Sequence, residues 1–276
     1  MMNNEDLRLQ KYLARCGIAS RRTCEEYISE GRITVNDKVV TKQGTKVNPQ
    51  NDVVKFDGEV ILPSSEDITI MLNKPAGYVS TMNDPQGRPC VADIIPVQEY
   101  PSIFPVGRLD RLTCGMLIFT TDGDLGQTLL HPSHEVTKKY EVVIDGKLEE
   151  NSSQFKKLTS GVEIKSGMTS PSEVEIKEYF GFDKYMELEN EFFTNCAKDD
   201  DSKALPGDKD LIDKTFTLLT IEIHEGKNRQ VRRMFEAVGF EVLLLKRLSI
   251  GNLKLGSLEC GKWAKLNDKD IEMMIN

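Results

Sequence analysis

Residues 105–123 read PVGRLDRLTCGMLIFTTDG. A short loop carries one carboxylate, Asp110, between Arg108 and Arg111, and runs into the apolar segment MLIFTT at 116–121. A run this short, bounded by turn residues, predicts a strand that anchors the loop to a core. The acid has an ordinary explanation in a surface ion pair, which contributes little. It has a chemical one in a functional carboxylate at the edge of that strand.

The neighbouring segments decide the fold class. Further strands are expected at ITIML (68–72), KKYEVVI (138–144), SEVEIKEYF (172–180), FTLLTIEI (216–223) and EVLLLKRL (241–248). Helices fit LGQTLLH (125–131), SSQFKKLTSG (152–161) and RQVRRMFEAVG (229–239), where Val231, Met234, Phe235 and Val238 line one side. Strands dominate and helices interrupt them irregularly, which predicts an α+β domain at 68–276 on a mostly antiparallel mixed β-sheet with flanking helices. Within it, residues 181–214, centred on DDDSKALPGDKD, read as a flexible acidic insertion.

Residues 1–62 form a separate expectation. Leu9, Tyr12, Leu13 and Cys16 fall at helical spacing before Gly17, and Ser20 can cap a second helix whose Cys24, Tyr27 and Ile28 face inward before Gly31. RITVNDKVV then predicts a hairpin turning at Asn36-Asp37. Residues 63–67 read as a linker. Arg8, Lys11 and Arg15 make a basic stripe beside the apolar one, and Arg21 and Arg22 open the second helix. No acid intervenes between residues 7 and 24, which points to phosphate binding by these five side chains.

The formal net charge of −8 over 276 residues would argue against a nucleic-acid partner if it were evenly spread. It is not. Residues 180–215 hold ten acidic residues and five lysines, a local −5, while residues 226–247 carry six basic side chains against Glu236 and Glu241. The six cysteines form no CxxC pair, which predicts neither a zinc site nor a disulfide framework and points to a reducing, cytoplasmic setting. No apolar run reaches the roughly 18 residues of a membrane span. His131 and His134 lack a third clustered ligand, so no metal is expected. GxGxxG, Walker and GxSxG motifs are absent from the sequence.

Taken together, GRLDRLTCG (107–115), KKYEV (138–142) and HEGKNRQVRRMFEAVG (224–239) resemble the motifs of the RsuA-like family of pseudouridine synthases. NKPAGYVST (73–81) and RLSIGNLKLGSLECGKWAKL (247–266) look like that family's first and last motifs. Residues 7–54 resemble the alpha-L RNA-binding domain named after a ribosomal small-subunit protein. The resemblance implies isomerisation of uridine to pseudouridine in ribosomal RNA, with no cofactor, by a monomer without membrane attachment. It assigns Asp110 as nucleophile, Tyr140 as the aromatic face against a base turned out of its stack, and Arg232 of QVRRM as the cation that keeps Asp110 charged. It leaves Arg108, Lys227, Arg229 and Arg233 as RNA contacts. NRQVRRM and DPQGRP (84–89) resemble the branch acting on large-subunit RNA or its assembly intermediates, although Cys114 and the acidic insertion depart from that branch. Alternatives are a small-subunit synthase, a non-catalytic ribosome-assembly protein on the same scaffold, and a small-molecule lyase. Lys74 reads as an exposed turn lysine or a phosphate contact, and Gly107 and Gly115 as turn formers around Asp110.

Overall fold

The computed structural model describes residues 6–63, 66–193 and 212–275. They divide into two compact units: the chain up to Ile68 with Pro96–Phe104, and Thr69–Ile95 with the chain from Pro105 onward. Part of the expected linker, residues 64 and 65, lies outside the described residues, as do residues 194–211.

In the smaller unit α1 spans Leu9–Arg15 and α2 spans Arg21–Ser29. The Ser20 hydroxyl accepts the Thr23 N–H at 3.2 Å and caps α2, as its side chain predicts. Two hairpins follow, Ile33–Val35 (β1) with Lys38–Val39 (β2), and Val54–Phe56 (β3) with Glu59–Val60 (β4), joined in the order β2-β1-β3-β4. Both turn through two residues at positive φ, Asn36-Asp37 and Asp57-Gly58, whose backbone twist matches that of the flanking strands. Leu9, Tyr12, Leu13, Cys24, Ile28, Ile33, Val47 and Val54 form the core. Arg8 departs from the expected helical stripe. It precedes α1 in extended conformation and pairs with Lys46.

The larger unit holds a seven-strand path built from β5 (Thr69–Lys74), β6 (Cys114–Thr120), β7 (Lys138–Asp145), β8 (Glu173–Phe180), β9 (Phe216–Ile223), β10 (Val242–Ile250) and β12 (Trp263–Lys265), with β11 (Leu253–Lys254) folded back on β10. Its order is β8-β9-β7-β10-β6-β5-β12. Every neighbouring pair on this path is antiparallel except β10 and β6, which run parallel with Lys246 opposite Cys114 and Arg247 opposite Gly115. The two antiparallel halves meet at this seam.

Strands β5 and β6 are buried at every position, as central strands covered on both faces must be. Met71, Met116, Ile118 and Ile250 pack on one face with Leu125 and Leu129 of α3 (Gly123–Leu130) and Met274 near the chain end. On the other face Val143, Phe180, Phe216 and Leu244 pack with Tyr185. Two further helices are α4 (Ser153–Ser160) and α5 (Phe182–Phe192); Tyr185 belongs to α5, so the first part of the expected flexible insertion is ordered secondary structure. The physical reason is aromatic: Tyr185 stacks on Phe216 with ring centroids 4.7 Å apart, which offsets the acidic surface of that helix. Residues 194–211 of that expectation lie outside the described residues. No helix among the described residues is long and apolar enough to cross a membrane.

Candidate active site

The loop before β6 is held by polar groups from the end of β5 and the segment that follows it. The Lys74 side chain, 0% exposed, donates its ammonium protons to the carbonyls of Pro75, Arg111 and Thr113 at 2.9, 3.2 and 2.8 Å. The Ser80 hydroxyl accepts the Leu109 N–H at 3.1 Å and donates to the Leu109 carbonyl at 2.8 Å. The Gly77 N–H donates to the Arg111 carbonyl at 2.8 Å. These bonds fix residues 109–113, and Asp110 with them. Lys74 is therefore neither an exposed turn lysine nor a phosphate contact. A buried ammonium needs oxygen partners on several sides, and the loop carbonyls supply them.

Gly115 also differs from a turn former. It lies inside β6 at φ 97°, and a Cβ there would stand 2.3 Å from the Arg247 carbonyl oxygen. Only glycine admits the close approach of β10 at the parallel seam. Gly107 does take a turn conformation, at φ 78°.

Beside Asp110 lies a cavity of about 140 Å³, walled in part by Tyr140, Lys138, Arg229, Thr113 and Arg247. The strand register explains the convergence. Tyr140 on β7 stands opposite Arg247 on β10, and directly opposed residues project to the same face. Lys138, two residues before Tyr140, shares that face. Tyr140 is 8% exposed.

A third segment arrives through α6, Gln230–Ala237. Gln230 is buried and ties down the approach to this helix. Its side-chain oxygen accepts the Lys227 N–H at 2.9 Å, and its amide donates to Glu225 at 2.7 Å. Arg229 precedes the helix in the left-handed region, φ 51° and ψ 33°, and its Nη1 stands 3.8 Å from Asp110 Oδ2. The side chains of Arg229 and Asp110 are 46% and 28% exposed, so the pair sits at the cavity mouth.

Arg232, expected as the partner of Asp110, is buried, and its Nη1 donates to the Val242 carbonyl at 2.6 Å. Burial disfavours its charged form, as does Arg229, while Asp110 favours it. Arg232 thus senses Asp110 electrostatically, but the direct ion-pair contact belongs to Arg229. Lys227 lines the cavity with its ammonium engaged by the Met168 carbonyl at 2.6 Å and by Glu225 at 2.9 Å. Arg108 is exposed at the cavity, and Arg233 is half-buried away from it. In the smaller unit Arg8, Arg21 and Arg22 are exposed, and Lys11 and Arg15 are half-buried.

Sequence reasoning missed Lys138 and Arg247. Lys138 shares a strand face with Tyr140 and was legible by period-two counting. Its ammonium donates to the Val136 carbonyl at 2.7 Å, and burial, then the charge of Arg247, pushes its pKa down to about 8. Arg247 left a weaker signal, a lone arginine in a run of buried β10 positions.

A mixed sheet with one parallel seam, and a carboxylate, tyrosine and arginine delivered to one cavity from three separated motifs, define a class that comparison makes explicit. Residues 68–237 match the RNA pseudouridylate synthase family and residues 7–54 match the S4 domain. The chain belongs to the RNA pseudouridylate synthase family, with an S4 domain ahead of its catalytic part. Similar proteins include the ribosomal large subunit pseudouridine synthase B of Bacillus subtilis, 35% identical over 268 residues that cover 97% of this chain and 95% of that one. The protein of the same description from Salmonella typhi is 34% identical, with 94% of this chain and 79% of that one covered. An uncharacterised RNA pseudouridine synthase of Aquifex aeolicus is 35% identical, with 98% and 94% covered. A crystal structure of a pseudouridylate synthase superposes with a TM-score of 0.60 at 25% identity, covering 97% of this chain and 99% of that one.

Proposed function

We propose that this RNA pseudouridine synthase acts on large-subunit ribosomal RNA in the cytoplasm, with Asp110 as its nucleophile and the target uridine turned out of its stack into the cavity. In the reaction the bond between ribose C1′ and uracil N1 breaks and one from C1′ to C5 forms. The C5 hydrogen leaves as a proton and N1 gains one, so no electrons change hands. The observation that carries the reading is the approach of Asp110 and Arg229 at the mouth of a cavity walled by Tyr140.

A carboxylate serves as a nucleophile only while ionised, and desolvation by an entering base opposes ionisation. Arg229 supplies a cation at contact distance, and Arg232 supplies a second positive charge from a buried position. Tyr140 offers the base an aromatic face in place of the stack it left. The cavity holds about five water volumes, the scale of one pyrimidine ring. Arg108 beside it, and Arg8, Lys11, Arg15, Arg21 and Arg22 in the S4 domain, serve as phosphate contacts that position the RNA. The large-subunit assignment rests on the relatives from Bacillus subtilis and Salmonella typhi.

The test is a chemical map of pseudouridine in ribosomal RNA from cells with and without this gene, complemented by wild type or Asp110→Asn. At least one large-subunit position should lose the modification, regain it with wild type and stay unmodified with Asp110→Asn. An unchanged map, or full restoration by Asp110→Asn, defeats the proposal. Loss confined to small-subunit RNA moves the substrate to that subunit.

A further inference from the structure

Two residues that wall the Asp110 cavity each carry a buried polar group with no hydrogen-bond partner among the described residues: Arg247, at its Nη2, and Thr113, at its hydroxyl. Both residues are buried, Arg247 at 4% exposed. Buried polar groups are almost always paired, and an unpaired donor on a charged group is the most unfavourable kind to leave so. Two such groups on residues of one cavity wall point to a place where a small shift of either side chain would meet a ligand that accepts hydrogen bonds. Arg232 also has unpartnered buried nitrogens, but it is not part of that cavity wall.

The fold holds Arg247 in place. Its position on β10 stands between Tyr140 on β7 and Gly115 on β6. Its Nε donates to the Met116 carbonyl at 2.7 Å, which fixes the plane of the guanidinium. Arg247 also pushes down the pKa of Lys138, a further wall residue, so positive charge gathers in this buried part of the wall.

Building on the proposed uridine chemistry, we propose that Arg247 and Thr113 form the polar floor of the cavity and read the ring oxygens of the flipped base, with Arg247 Nη2 donating to a uracil carbonyl. An acceptor oxygen on the target nucleotide could belong to the ring or to the flanking phosphate. Depth assigns it to the ring. A phosphate carries chain on both sides and stays at the mouth, where Arg229 and Arg108 are exposed. The same chemistry favours uracil over cytosine, which presents an amino donor in place of one carbonyl acceptor.

The test uses the full-length enzyme and a large-subunit ribosomal RNA transcript carrying tritium at uridine C5, with tritium release followed under single turnover at saturating enzyme. Arg247→Met should slow release by about 10- to 100-fold, the loss of one charge-assisted hydrogen bond, and Arg247→Lys should recover part of that. Thr113→Val is nearly isosteric and deletes a hydroxyl that makes no bond in the free protein. It should leave thermal unfolding unchanged or raised while slowing release severalfold, a split that a structural role does not produce. It also carries the test if Arg247→Met does not fold. The slope of RNA affinity against salt should be unchanged in Arg247→Met. A slope smaller by about one phosphate equivalent assigns the contact to a phosphate and overturns the ring reading. Release within threefold of wild type in folded Arg247→Met, or in Thr113→Val, overturns the inference itself. Failure of the underlying uridine chemistry appears differently, as no release by wild type from any ribosomal transcript.

Discussion

Arg229 Nη1 lies 3.8 Å from Asp110 Oδ2, and Arg229 reaches it from a left-handed backbone conformation at the head of α6. That conformation costs a non-glycine residue about 1 kcal/mol, and an ion pair this exposed returns at most about as much. The contact therefore has little weight in stability, and under the proposed function its role is to keep Asp110 ionised.

Arg229→Gly separates the two roles. The glycine relieves the backbone strain, so the unfolding free energy should stay within about 1 kcal/mol of wild type. The single-turnover rate should fall at least tenfold, because Asp110 loses its direct cation. Calorimetry and tritium release on the same preparation check the split, and an unaltered rate would remove Arg229 from the site.

Ser80 tests the mounting of the Asp110 loop. Ser80→Ala leaves the N–H and carbonyl of Leu109 without their hydroxyl partner, a loss of about 1–3 kcal/mol. Asp110 is not touched directly. The expected kinetic signature is a reduced turnover rate with RNA affinity near wild type, since the loop and not the RNA surface is loosened.

Lys138 makes stability depend on pH. Its pKa is lowered from 10.5 to about 8, by burial first and Arg247 second. Below pH 8 both folded and unfolded chains carry the charge, and the folded state bears the full burial penalty. Between about pH 8 and 10.5 the unfolded chain binds more protons than the folded one, so this group's contribution to stability rises with pH. Lys138→Met should thus be more stable than wild type at pH 7, with the advantage shrinking above pH 8. Denaturant titrations at pH 7, 8.5 and 9.5 measure it, and a pH-independent difference contradicts the assignment. Arg247 shares the cavity wall with Lys138 and is the second cause of its shift, so the profile should also respond to substitution of Arg247.

Gly115→Ala challenges the seam. The added Cβ would meet the Arg247 carbonyl oxygen at 2.3 Å in a backbone conformation that alanine avoids. Destabilisation of about 3 kcal/mol or more is expected, visible as a large drop in melting temperature. Gly181→Ala, away from the cavity, has open space at its Cβ position and φ −96°, and should melt as wild type does.

Much of this was legible in the chain. The β9 strand occupies the expected residues 216–223, β7 extends the expected segment by one residue, and α6 lies within the expected helical run. Those segments carry strong periodic patterns, and local pattern is what sets a buried face. Acidic composition misled at Phe182–Phe192, where buried aromatic contacts order a helix that charge alone would leave unfolded. Lys74 misled for the converse reason. A lysine beside a proline reads as a surface turn until the three carbonyls around its ammonium are in view.

Sequence by itself determined the family, the α+β class and the candidate residues Asp110 and Tyr140, because motifs and periodicity are properties of neighbouring residues. Tertiary structure decided which cation touches Asp110, why residue 115 is glycine, and that Lys138 and Arg247 wall the same cavity. Those relations depend on strand register and on the parallel approach of β10 to β6, which bring together residues more than a hundred positions apart along the chain, such as Gly115 and Arg247. Distance and desolvation across such a seam have no counterpart in local pattern.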